Sequence, residues 1–216
     1  RYNIKITKAT YSYIKSLPLH PNNIVKMIIS IARQCGCGAL SIGKILGSHY
    51  NIPIYTRQNL LEMAQERGVL DEMNNFFEER PVDELMFAIS ETIEYPAKIS
   101  EKTFSLLVNM IGDKDCIIIG RCGNHIFKNR EDLVSVFLKG NVDGRITTIA
   151  KELQLKKSDA AEFVDEMDNS RIRYHKYYTG LTWGNAEDYD ICFDCMRMGP
   201  ENSAKYIEQY IDCVLK

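Results

Sequence analysis

Four short, largely apolar runs restrict the fold of this chain more than any other feature: Val25 to Ala32, Asp115-Cys116-Ile117-Ile118-Ile119-Gly120, Leu133 to Leu138, and Tyr189 to Asp194. A strand that is apolar at successive positions is buried on both faces, which is the condition of strands in a parallel sheet covered by helices. Segments with apolar residues at helical spacing separate the runs. Leu40, Ile42, Ile45 and Leu46 mark a helix stopping near Tyr50, Phe104, Leu107, Val108 and Ile111 mark one ending at Gly112, and Ala204, Ile207, Tyr210, Ile211 and Val214 mark a last one over about Pro200 to Leu215. Strands alternating with helices imply right-handed crossovers and an α/β fold whose ligands collect at the carboxyl ends of the strands.

With 216 residues, the chain has room for one large domain with a real core, or a core with a mobile insertion. Its 45% hydrophobic and 26% charged content is that of an ordinary soluble globular protein, and a net charge of −2 gives no global attraction to nucleic acid or anionic membrane. Any anion binding is therefore local. No apolar run approaches the roughly 18 residues a spanning helix needs, and the first twenty residues lack the apolar core of a signal peptide, so a cytoplasmic protein is expected. Cys35-Gly-Cys37 and Cys192-Phe-Asp-Cys195 have no companion histidines, and the seven cysteines read as reduced, packed thiols. Residues 1–22 form an arm whose structure the pattern leaves open, and 23–216 read as a single domain.

The first apolar run meets a tight turn at Gly36 and Gly38 and then a helix. Strand, glycine turn and helix bring free backbone N–H groups and the positive end of a helix dipole to one point, which suits a phosphate. Arginines follow three strand ends: Arg33 after the first, Arg57 after the short strand Ile52-Pro53-Ile54-Tyr55, and Arg121 after the third. Arg171 and Arg173 lie on a long helix from about Ser158 to Tyr178. Because arginine binds phosphate bidentately, their convergence on a glycine turn implies a polyphosphate site. Thr56 is placed to cap a helix over Arg57 to Arg67, and a strand-poor block of helices follows, with a further one expected after Pro81. Arg145, Lys151, Lys156 and Lys157 read as surface charges and Asp188 with Asp190 as a solvated pair. His125 and His175 lack visible partners, and there is no G-x-S-x-G elbow to supply a nucleophilic serine.

Taken in order, Ile-Ser30-Ile-Ala-Arg33-Gln-Cys-Gly36-Cys-Gly38, Ile42-Gly43-Lys44, Ile52-Pro53-Ile54-Tyr55, Ile-Ile-Gly120-Arg121-Cys-Gly123-Asn124, and Arg171 through Trp183-Gly184 to Tyr189-Asp190 make the chain resemble the cytidylate kinase-like family of the nucleoside monophosphate kinases, over most of 24–215. The resemblance implies a three-layer P-loop kinase fold with a five-stranded parallel sheet, a helical acceptor-binding insertion at about 56–98 and a helical lid at about 145–185. It implies ATP and Mg²⁺ as cofactors, and as partners a nucleotide and a small phosphorylated acceptor, with no membrane or nucleic acid and with oligomerisation left open. Carried over by position, Cys35, Gly36, Cys37, Gly38, Ala39, Leu40 and Ser41 cradle the donor phosphates, with the Ser41 hydroxyl near Mg²⁺. Arg57 and Arg121 hold the acceptor phosphate, and Arg171 and Arg173 act from the lid. Asp168 matches the acidic residue before the lid arginine and is expected to touch the acceptor.

One departure bears on catalysis. The pattern G-x-x-x-x-G-K-S/T, laid with its second glycine at Gly38, requires Gly at 33 and Lys at 39, where this chain has Arg33 and Ala39. Arg33 is the expected substitute charge, ahead of Lys44. Three readings follow: a kinase for a nucleoside monophosphate such as CMP, a catalytically silent nucleotide-binding module, and a small-molecule kinase with a non-nucleotide acceptor.

Overall fold

A computed structural model describes residues 26–77 and 96–215. The four apolar runs become strands β1 (Ile28–Arg33), β3 (Cys116–Ile119), β4 (Leu133–Lys139) and β5 (Ile191–Asp194), and the short segment before Thr56 becomes β2 (Ile54–Tyr55). All are parallel, in the order β2-β3-β1-β4-β5. The helices are α1 (Ala39–Tyr50), α2 (Arg57–Glu66), α3 (Leu70–Phe77), α4 (Pro96–Ile111), α5 (Gly123–Ile126), α6 (Val142–Glu152), α7 (Lys157–Thr179) and α8 (Cys195–Val214). No helix among the described residues is long and apolar enough to cross a membrane. The expected arm at 1–22 and the helix after Pro81 lie outside the described residues.

Alternation along each strand sorts the core onto two faces. Ile29, Ile31, Ile117, Ile119, Val134 and Val136 pack with Ile42 and Leu46 of α1 and Ala204, Ile207 and Ile211 of α8. Ile28, Cys116 and Ile118 face the other way, onto Leu60 of α2, Phe76 and Phe77 of α3, Leu107 and Ile111 of α4, and Tyr178 of α7. Burial on both faces is thus the physical origin of the apolar runs of β1, β3 and β4, whereas β5, at the edge of the sheet, buries Ile191 fully and Cys192 to Asp194 only in part. The register aligns Ile31 with Ile119 and Arg33 with Leu138, so the chain leaves β1, β3 and β4 at one edge.

Local signals set several boundaries. Thr56 caps α2 through a reciprocal pair with Asn59, its hydroxyl accepting from the Asn59 N–H and its own N–H donating to the Asn59 side chain. β1 starts at Ile28 rather than Val25. The last helix starts earlier than its periodicity suggests: Asp194 accepts from the N–H groups of Met196 and Arg197, giving a first turn at Cys195, and the axis then breaks at Gly199 before Pro200 opens the longer part. Five of the seven thiols, those of Cys35, Cys37, Cys116, Cys122 and Cys195, are buried and unbridged, as packed thiols should be.

α5 lies so close beneath β1 that a Cβ on Gly123 would stand 2.6 Å from the Ser30 hydroxyl oxygen. Gly123→Ala is expected to cost about 1–3 kcal/mol by overpacking, and Ser30→Ala in the same chain to restore a large part of it. Urea titration of the two single variants and the double variant checks this; additive losses would contradict it.

Candidate functional site

The glycine turn between β1 and α1 is tied down on both sides. Gln34 donates its N–H to the Leu138 carbonyl and accepts from the Gly140 N–H on its side-chain oxygen, joining the loop to the end of β4. The Cys35 N–H donates to Asp168 Oδ1 at 2.7 Å, and Arg145 Nη1 donates to the Cys35 carbonyl at 3.1 Å and to Asp168 Oδ2 at 2.6 Å. Arg145 Nε donates to the Gly140 carbonyl. Arg145 is only 6% exposed, which corrects its expected place among the surface charges. Lys151, Lys156 and Lys157 are exposed as expected. Gly36 approaches α6 so closely that a Cβ would sit 2.7 Å from the Arg145 carbonyl oxygen, and its φ of 83° also favours glycine.

Further along the turn, Cys37 donates its N–H to the Gln34 carbonyl, and Ser41 and Ile42 donate theirs to Gly38. The N–H groups of Gly36, Gly38, Ala39 and Leu40 remain without a bond to the described residues. No side chain caps α1, and its first turn holds no acidic residue. A bare helix start with several unpaired N–H donors suits an anion. Ser41 is exposed. It offers one oxygen to a cation, so a Mg²⁺ there would take most of its ligands from phosphate and water. Lys44 is also exposed, one turn into the helix.

Beside the loop, a cleft with about 620 Å³ of empty volume, open mouth included, is lined by Arg33, Arg57, Arg121 and Arg171 together with Ser170, Tyr174 and Trp183. No carboxylate stands among its described lining residues. Arg33 extends onto Gly120 at the end of β3, where its Nη1 occupies the space a Cβ there would need. Arg121 sits in the left-handed region with Cys122, both at φ 56°, a conformation costing on the order of 1–3 kcal/mol per residue that persists only where the surroundings enforce it. The enforcing contacts are visible. Arg121 lies 4.9 Å above the Tyr174 ring and donates to the Phe76 carbonyl, and Tyr174 donates its hydroxyl to the same oxygen. Arg57 donates to the Phe77 carbonyl. Both strand-end arginines therefore also close the carboxyl end of α3, a favourable place for positive charge.

Helix α7 matches its expected span to within one residue, and its geometry separates the candidates on it. Arg171 lines the cleft and donates to the Arg33 carbonyl at 3.4 Å. Arg173 is two residues further, on the opposite side of the helix, and is not among the cleft residues. Asp168 is likewise not a lining residue; both its oxygens face the loop and Arg145. Asp190, read as solvated, accepts from the N–H and hydroxyl of Ser135 and so joins β5 to β4.

His175, one turn beyond Arg171, is 3% exposed and lines the cleft. Burial pushes the Cys122 thiol up to about 12, so it stays protonated, and its sulfur lies 3.6 Å from His175 Nδ1.

A family model described as the cytidylate kinase-like family matches residues 28–197. The cytidylate kinase of Sulfurisphaera tokodaii is 25% identical over 191 residues, covering 88% of this chain and 97% of that protein. An uncharacterized protein from Eubacterium ventriosum has a crystal structure similar to this one at a TM-score of 0.68 and 27% identity, over 87% of this chain and 99% of that one. Shikimate kinase from Bacteroides thetaiotaomicron shares the fold at a TM-score of 0.50 and 14% identity, over 86% and 98% of the two chains.

The buried imidazole gives the site a pH signature. Burial, reinforced by His125 and opposed by Asp188, pushes the His175 pKa down to about 4. The unfolded chain takes up a proton here near pH 6.5 that the folded chain refuses until about pH 4. The stability contribution is complete above about pH 6.5 and is lost as the pH falls through that window, reaching about 3 kcal/mol. Urea titrations at pH 7.5 and 4.5 should show a smaller acid loss for His175→Gln than for the wild type; equal losses would assign the acid sensitivity to other groups.

Proposed function

Because this chain belongs to the cytidylate kinase-like family, we propose that it transfers the γ-phosphoryl group of ATP to a nucleoside monophosphate such as CMP, or to a similar small phosphorylated acceptor. The observation that carries this reading is the cleft lined by four guanidinium groups, with no carboxylate among its described lining residues, next to a glycine turn with unpaired N–H groups. Phosphoryl transfer needs alignment, neutralisation of charge and exclusion of water rather than a protein nucleophile. Each of these has a residue to supply it. The N–H groups of Gly36, Gly38, Ala39 and Leu40 bind donor phosphates, and the Ser41 hydroxyl serves Mg²⁺, which would offset phosphate charge when bound. Arg57 and Arg121, fixed on the end of α3, orient the acceptor phosphate. Arg171 reaches in from α7 and Arg33 from the end of β1, where charge develops between the two phosphates. Trp183 and Tyr174 help exclude water.

Ala39 supports a second reading, a nucleotide-binding module without catalysis, because the lysine that bridges donor phosphates in the usual loop is missing. An ADP-release assay with MgATP and a panel of nucleoside monophosphates, with non-nucleotide hydroxy acids as a further arm, separates the possibilities. ADP release dependent on one monophosphate is expected. Release with none of the panel, while MgATP still raises Tm, would establish the silent module instead.

Single substitutions test the roles. Arg171→Ala is expected to lower kcat by about 10²-fold or more, the size of losing a transition-state charge contact. Arg57→Ala should act mainly on the acceptor KM. Arg33→Ala should lose far more turnover than Lys44→Ala, and equal or reversed losses would remove Arg33 from the role of substitute for the loop lysine.

A further inference from the structure

We propose that Arg145 and Asp168 are positioning residues that preset the glycine turn for the donor phosphates by holding Cys35 through both its N–H and its carbonyl; this rests on the kinase reading above. The Cys35 N–H ends on Asp168 Oδ1 and the Cys35 carbonyl on Arg145 Nη1, and the same Nη1 meets Asp168 Oδ2, so carboxylate, guanidinium and peptide close a ring. The two side chains come from different helices, α6 and α7, and are 8% and 14% exposed. Arg145 is braced again through Nε on the Gly140 carbonyl, and Gly140 donates its own N–H to Gln34 at the start of the loop.

Two consequences follow for the site. The clamp fixes the direction of the peptide just before Gly36, and with it the course of the four unpaired N–H groups that follow. It also commits the Cys35 N–H, which is therefore not a ligand of the donor. Asp168 does not hold this position only until nucleotide arrives: both its oxygens are taken, and displacing it would break its bonds to the Cys35 N–H and to Arg145 together. Arg171, 3.8 Å from Asp168 Oδ1, adds a second positive charge beside the carboxylate, so the loop presents little net negative potential to an incoming phosphate. Because Asp168 and Arg171 sit one turn apart on α7, the residue that anchors the loop and the arginine that enters the cleft move as one body.

Arg145→Met, Arg145→Lys and Asp168→Asn test this in the full chain, with hydrogen–deuterium exchange of the peptide covering the turn and calorimetric titration of MgADP and of CMP. Arg145→Met and Asp168→Asn should each speed exchange in the turn tenfold or more and weaken MgADP at least tenfold, with CMP affinity held within twofold. Arg145→Lys keeps the charge but not the forked donor set and should fall between wild type and Arg145→Met. Asp168→Asn, nearly isosteric, keeps the test open if Arg145→Met does not fold. Unchanged MgADP affinity in both, or equal losses for MgADP and CMP, would overturn the assignment and leave an ordinary structural ion pair. If the wild type binds no MgADP while turn exchange still responds to both substitutions, the kinase reading fails and the presetting of the loop stands.

Discussion

The buried ion pair between Arg145 and Asp168 is the interaction on which the arrangement of the site depends. It joins α6, α7, the end of β4 and the glycine turn by polar contacts, beside the apolar cluster in which Cys35 packs on Ile146, Ile149, Ala160 and Val164. Burying two charges is expensive, and such a pair is often worth little net stability compared with well-packed apolar side chains. Removing one partner is different, since it strands the other charge in the interior at a cost of roughly 3–5 kcal/mol. That asymmetry explains how the pair can be weak as cement and strong as a constraint. It does not add greatly to the fold, but it permits only one course for the loop.

Around this fixed loop, positive charge is concentrated although the chain as a whole carries a net charge of −2. Four arginines reach the cleft from β1, the start of α2, the turn after β3, and α7, and three of these places are strand ends or directly follow them. Parallel topology is what makes this economical in sequence, because every strand delivers its next residues to the same edge. The arginines are also held, not merely gathered. Arg57 and Arg121 bond the last carbonyls of α3, Arg121 adopts a strained left-handed backbone over Tyr174, and Arg171 bonds the Arg33 carbonyl. Guanidinium groups fixed before substrate arrives lose less freedom on binding and need less reorganisation when charge moves.

Much of this could be read from the residues alone, and what could not has identifiable causes. The apolar residues at Ile117 to Ile119, and at Val134 and Val136 to Leu138, specify strands covered on both faces, and they form them. Thr56 with Asn59, and Gly112 after Ile111, carry local boundary signals that the chain obeys. Arg171 and Arg173 were expected to act together from the lid, although residues two apart on a helix face opposite ways and only Arg171 lines the cleft. Arg145, Gln34 and Asp190 were not legible. Each acts through partners distant in sequence, Asp168 and Cys35 for Arg145, Gly140 for Gln34 and Ser135 for Asp190, and an isolated charged or amide residue in a helix or loop looks the same whether it is solvated or clamped. The faint signal for Arg145 was Gly36, whose missing side chain makes room for the α6 backbone.

The central claim is that the turn and the arginine cleft are the donor and acceptor halves of one transfer site. A crystal structure of the protein with ADP, Mg²⁺ and CMP bound tests it most directly. The account predicts the ADP β-phosphate on the N–H groups of Gly36 and Gly38 to Leu40, the CMP phosphate within hydrogen-bond distance of Arg57 and Arg121, and the Cys35 N–H still on Asp168. ADP phosphates bonded to the Cys35 N–H with Asp168 displaced, or CMP bound away from the arginines, would contradict it.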